Sequence, residues 1–397
     1  MVDALKPKRS EPDPEKTRRD AILIAAGVTW PYIVERRRAD SPAVSADLAK
    51  SERALRHLQD FFGDDVSALP PPLFDHLVNV APWTYEWTCW LSDSLHRIEP
   101  AKGYDKLRQR LTDPERFMEA WSVLQVAERL QTTGFPVAFD VPLVIEATRK
   151  VPDLVFTHPT TETAYICEVS VLFSADAHAS QSELLDCIFR LFLFQGDDRV
   201  AYAGCIFPDA LGEETDGLVN RVAWEIMEVR RERTYREINL ENALTMALAP
   251  EADSSLVAQW ANARGMDFGS LAALRSPIHQ WGRLRAKISE KESQLSPDEA
   301  NLLVIWAQEL FIAPDRPDEL ITIVSKLLPD YLKVSALVLV CEGPSRVFVP
   351  SLTLGNIQLH ATCRGGIEHQ FLIAINEASK HKFPEEVLRN LFRAFSR

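Results

Sequence analysis

The chain is 397 residues long, room for roughly two or three domains, with 46% hydrophobic residues and a formal net charge of -13. That acidic balance speaks against a broad DNA-coating surface, which rests on Lys and Arg neutralising phosphates, but it leaves room for a local basic groove. The six cysteines are dispersed, with no CxxC and no Cys/His spacing suited to zinc, and read as reduced core residues of a cytoplasmic protein. The charged, Pro-containing N-terminus has no apolar signal core, and the early apolar run 21–34 is short and broken by Pro31, so no membrane insertion is expected.

Residues 1–20 read as a disordered, mixed-charge tail. From 21 to 113 the pattern is helical and aromatic-rich, with apolar residues three and four apart in SERALRHLQDFFGDD and FDHLVNVAPWTYEWTCWLSDSLHRI. Trp83, Trp87 and Trp90 form a helical stripe, read as packed core in preference to a ligand surface, and the break at Pro70–Pro72 divides the region. Asp113 before Pro114 predicts a helix start, and Gly134 its end. Three strand-like runs follow, FPVAFDVPL, VPDLVFTH and TAYICEVSVLF, the last two joined as a hairpin across Pro159–Glu162.

Farther on, 178–195 reads as helix, 202–208 as strand, 216–236 as a long charged helix ending in RRERTYRE, and NALTMALAP as strand. A helix over 284–295 precedes the strand NLLVIWA; another helix, ELITIVSKLLPDYL, precedes the strand SALVLV. The tail beyond 345 is β-like to FLIAIN and closes with a short helix. The basic runs Arg36–Arg38 and 230–236 are expected on exposed helix faces. No GxGxxG, Walker A loop, GxSxG elbow or HExxH set is present.

One constellation carries chemistry. Hydrolysis of a phosphodiester with Mg²⁺ needs hard oxygen ligands on a rigid frame and a cation near the reacting water. Asp153 opens one strand after Pro152, and Glu168 lies within the next, 15 residues later. Alternation along AYICEVSVL puts Tyr165, Cys167, Val169 and Val171 on one face and Glu168 with Ser170 on the other. A carboxylate inside so apolar a strand is costly to bury unless it is paired or holds metal, whereas Asp153 after Pro is also a common turn residue.

The succession of a helix, a GFPV strand, a VPD strand and a CEVS strand resembles the PD-(D/E)XK superfamily of Mg²⁺-dependent nucleases. Pro152-Asp153 matches the PD half, and Glu168-Val169-Ser170 matches (D/E)XK except at its lysine, where Ser170 stands. LTDPERFMEAWSVLQVAERLQTTGF is similar to the leading helix of bacterial members, and RLRAKISEKESQLSPDEANLLVIWA to their later helix and strand.

The resemblance implies an α/β (α+β) fold with a restriction-endonuclease-like αβββαβ core and mixed sheet over 114–345. To that core it adds a helical N-terminal region at 21–113, a long insertion at about 175–280 and a β-rich extension over 346–397. It also implies Mg²⁺ on Asp153 and Glu168, helped by a leading-helix glutamate near Val123, for which Glu119 and Glu128 are the candidates. Lysine migrates within the superfamily, so Lys287 or Lys291, on one helix face with Gln294, could supply the missing charge; otherwise they form a solvated face balanced by Glu290 and Glu292. The expected function is a Mg²⁺-dependent nuclease acting on DNA or RNA through a local basic groove. The competing reading is an inactive nuclease fold kept as a binding or assembly module, and a third is an unrelated α/β protein.

Overall fold

Helical spacing over the first third of the chain and strand runs thereafter assemble into a mixed α/β molecule. The computed structural model describes residues 28–40, 45–78, 82–145, 148–173, 176–193, 199–207, 215–240, 243–274, 280–307, 317–342, 352–364 and 367–396. The tail expected over 1–20 lies outside them. The chain divides into two units, one formed by 1–172 with 281–397, the other by 173–280.

The first unit opens with helices α1 (Trp30–Asp40), α2 (Ser45–Phe62), α3 (Pro71–Val78), α4 (Pro82–Ile98), α5 (Tyr104–Leu111) and α6 (Phe117–Thr132). The Pro70–Pro72 break coincides with the start of α3. Helix α6 begins later than Asp113-Pro114 suggests: the Asp113 carboxylate accepts from the Glu115 N–H and caps a turn, and Gly134 (φ +94°) follows the helix end. The Trp stripe on α4 is core: Trp87 is buried, Trp83 and Trp90 pack against the same cluster, and Trp121 of α6 meets Trp87 and Trp90.

The expected exposure of the Arg36–Arg38 run is wrong at its centre. Arg37 is buried and donates to Ser51, Thr88 and the His76 and Leu77 carbonyls, satisfying the C-terminal end of α3.

Strands β1 (Val137–Phe139), β4 (Leu154–Thr157), β5 (Ala164–Leu172), β10 (Asn301–Ala307), β11 (Ala336–Glu342), β12 (Leu352–Leu354), β13 (Ile357–Arg364) and β14 (Ile367–Ile375) form one sheet in the order β1-β4-β5-β10-β11-β14-β13-β12. The central β5, β10 and β11 are parallel; the flanking pairings are antiparallel. The run FPVAFDVPL is not one strand. Asp140 takes a left-handed φ of +48°, Pro142 has no N–H for a ladder, and β2 (Leu143–Ile145) pairs instead with β3 (Thr148–Lys150).

Both faces of this sheet are covered, which is why NLLVIWA is buried at every position. One face carries Tyr165, Cys167, Val169 and Val171 against α1–α6 and the closing helix α12 (Glu385–Ser396). The other carries Ile166 and Leu172 against α10 (Gln280–Glu292) and α11 (Pro317–Leu327). The N-terminal helices and the C-terminal strands therefore share the core of this sheet rather than standing apart from it.

The second unit builds a four-stranded sheet, β7 (Arg236–Leu240), β8 (Leu244–Pro250), β6 (Val200–Ile206) and β9 (Leu271–Ala273), in the order β7-β8-β6-β9. Helices α7 (Asp176–Leu193) and α8 (Thr215–Glu232) cover one face, and α9 (Ser254–Asn262) lies on an alanine-rich patch of the other. The long charged helix ends four residues early: Arg233 turns left-handed (φ +56°), and REINL becomes β7. The six cysteines are free, and no described helix is long and apolar enough to cross a membrane.

Asn301 fixes the junction between α10 and the sheet. Its buried amide donates to the carbonyls of Ser296, Glu299 and Lys333 at 2.8–2.9 Å. Asn301→Ala leaves those carbonyls without this partner and should lower unfolding free energy by about 2–4 kcal/mol; urea denaturation measures it, and a change within error would contradict the role.

Candidate metal centre

Strand pairing brings the two acidic residues together. Antiparallel register sets Leu154 opposite Cys167, so Asp153, just before β4, lies beside Glu168 on β5. The Asp153 Oδ2 accepts from the Val169 N–H at 3.1 Å, and the Glu168 and Asp153 carboxyls are in hydrogen-bonding contact. Glu168 faces the same side as Ile166 and is 4% exposed, so desolvation is severe.

Burial, with the Asp153 carboxylate beside it, pushes the Glu168 carboxyl up to about 8, against the opposing pull of Lys291. In metal-free protein near neutral pH Glu168 thus retains its proton.

Helix α10 covers this face through Leu284 and Ile288. Lys291, one turn beyond Ile288 and in the last turn of the helix, reaches down so that its Nζ lies 3.6 Å from Glu168 Oε2 and donates to Gln294 Oε1. Ser170, where the resemblance leads one to expect a lysine, is buried on the same face, and the ammonium beside Glu168 comes from the helix. Lys287 does not join: it pairs with Glu290 at 2.8 Å, as a solvated helix face would.

The leading-helix glutamates are also elsewhere. Helix α6 packs on the opposite sheet face from Glu168. Glu128 is buried and ion-paired with Arg97 of α4, and Glu119 is exposed. Among the described residues no three His, Cys, Asp or Glu side chains gather as a metal-binding group. Two carboxylates nonetheless fit Mg²⁺, which keeps several waters and binds through one or two carboxylates. A buried carboxyl that holds a proton at neutral pH is also the kind of group where a divalent cation can replace that proton.

Two neighbours escaped the sequence reading. Arg110 of α5 lies 3.0 Å from Asp140 Oδ2 and 3.4 Å from Asp153 Oδ1. Burial raises the Asp140 carboxyl above its ordinary range, against the pull of Arg110. The legible sign was Arg110 on the buried side of an otherwise polar helix, between Leu107 and Leu111. Comparison with family models, curated proteins and solved structures finds no match to this chain.

Because the folded state binds the Glu168 proton more tightly than the unfolded chain, stability falls as pH rises from about 4.5 to about 8. Glu168→Gln, measured without divalent metal, should therefore stabilise the protein at pH 9 by up to about 5 kcal/mol, each tenfold in proton affinity being worth about 1.4 kcal/mol. The gain should vanish near pH 4.5; equal effects at both pH values would exclude the raised carboxyl.

Proposed function

We propose that this chain is a divergent PD-(D/E)XK nuclease-like enzyme that hydrolyses phosphodiesters of nucleic acid with Mg²⁺. The observation that carries the reading is the Lys291 ammonium beside Glu168 in a chain whose motif lysine is replaced by Ser170. The strand arrangement supports it too: β1, β4 and β5 pair antiparallel and β10 lies parallel beside β5, with α6 ahead of them and α10 ahead of β10, an order compatible with that core once the β2–β3 pair and the 173–280 unit are set aside as insertions.

Asp153 and Glu168 would hold the metal, which supplies Lewis-acid stabilisation of phosphoryl charge and lowers the pKa of bound water. The chain's own residues do the rest. Val169 N–H and Arg110 orient Asp153. Lys291 offsets negative charge at Glu168 and can stabilise charge developing on a phosphoryl oxygen. Apolar packing of α10 and β5 limits water around the carboxylates and so strengthens each of these interactions. Lys106 and Arg116, both exposed and within electrostatic reach of Asp140, give an acidic chain local positive charge where a phosphate backbone would lie.

The two-carboxylate set favours a second reading, a nuclease fold kept for binding, in which the geometry persists without turnover. Incubating the purified chain with single- and double-stranded DNA and RNA in Mg²⁺ or Mn²⁺ separates the two. The enzyme reading expects cleavage that Glu168→Ala abolishes and Lys291→Ala slows about 10²- to 10³-fold. Cleavage that survives Glu168→Ala would sink the site. Metal binding without cleavage of any of the four would select the binding module.

A further inference from the structure

We infer that Arg110 and Asp140 form a charge-balanced clamp that positions Asp153 as a metal ligand, an inference that rests on the proposed reading of the site. Neither residue would touch metal or substrate; both are positioning residues.

The backbone delivers the clamp with little freedom. Phe139 N–H donates to the Lys102 carbonyl at 2.7 Å, and Gly103 follows at φ +84°. A Cβ on Gly103 would sit 2.0 Å from the Phe139 carbonyl oxygen, so only glycine lets the chain approach β1 this closely before turning into α5. Leu107 and Leu111 then bury one face of α5, and Arg110 between them is carried to the end of β1. Across the β1–β4 pairing Phe139 faces Leu154, which sets Asp140 opposite Asp153; the Asp140 N–H lies 3.4 Å from the Asp153 carbonyl. Asp140 adopts its left-handed φ of +48° at this junction, a conformation that costs a non-glycine residue energy and persists where surrounding contacts enforce it.

Arg110 is 8% exposed and spans both acids, 3.0 Å to Asp140 Oδ2 and 3.4 Å to Asp153 Oδ1. Asp153 is thereby held at both oxygens, Oδ1 by Arg110 and Oδ2 by the Val169 N–H. Each carboxylate oxygen offers two lone pairs, so a fixed Asp153 still has acceptor capacity on the side of Glu168. An arginine alone at this distance would compete with a metal for Asp153. Asp140 removes that conflict: its charge offsets the guanidinium, and the clamp adds orientation without net positive charge. This explains a half-buried acid near the site that belongs to no three-acid metal group among the described residues.

The test is Mn²⁺ titration of the full chain by calorimetry, paired with metal-free melting temperatures. Asp140→Asn keeps the shape and a hydrogen-bond acceptor but leaves the Arg110 charge unbalanced; Mn²⁺ affinity should fall about 10-fold or more. Adding Arg110→Met (or Arg110→Gln, should the Met variant not fold) removes the unbalanced charge, and the double variant should recover part of that loss. A clamp that only tied α5 to the sheet would make the double variant the weakest binder and the least stable protein, and that ordering overturns the inference. Unchanged affinity in Asp140→Asn also overturns it, and leaves the site reading intact if Glu168→Gln abolishes binding. Wild-type protein that binds no Mn²⁺ overturns the site reading itself and the clamp with it.

Discussion

Glu168 is a carboxylate carried into the middle of a sheet covered on both faces, and the surroundings of the site are arranged around its desolvation. A charge moved from water into such an environment is tolerated only with partners or with a proton. Here burial beside Asp153 keeps a proton on Glu168, and Lys291 supplies the opposing charge from 3.6 Å away. Remove Lys291 and a buried acid is left inside an apolar strand with no cation beside it.

That constraint gives meaning to elements that otherwise look incidental. Helix α10 packs its leucine and isoleucine on the Glu168 side of the sheet, and the same packing brings its last turn over the carboxylate. Asn301 pins the loop that leaves this helix to the start of β10 and the segment before β11, so the lysine rests on a fixed frame. On the other flank, the close approach at Gly103 lets α5 bring Arg110 to Asp153. Two helices far apart in the chain thus converge on two carboxylates.

The fold was readable where one physical signal dominated. The strands SALVLV, NLLVIWA and AYICEVSVLF announce themselves through apolar, β-branched content, and the face assignment along β5 follows from strict alternation. It was not readable where local geometry overrode composition. Asp140 and Arg233 both take left-handed backbone, which splits one expected strand and shortens one expected helix; aspartate is among the residues that tolerate this conformation, but arginine is not, and neither run of sequence marks the position. Arg37 misled for a different reason: a basic triplet looks solvated, yet its middle residue closes the carbonyl end of a neighbouring helix.

By itself the sequence determined the acidic residues, the serine at position 170 and the face on which Glu168 points, because strand period and residue chemistry are local. Only the tertiary structure decided which cation answers Glu168. Lys287 and Lys291 share a helix face and are equivalent in pattern, but one turn of α10 separates a lysine tied to Glu290 from one that reaches the carboxylate. The tertiary structure likewise turned Glu128 toward Arg97 and brought Arg110 and Asp140 to Asp153, since long-range packing, not spacing along the chain, sets which charges meet.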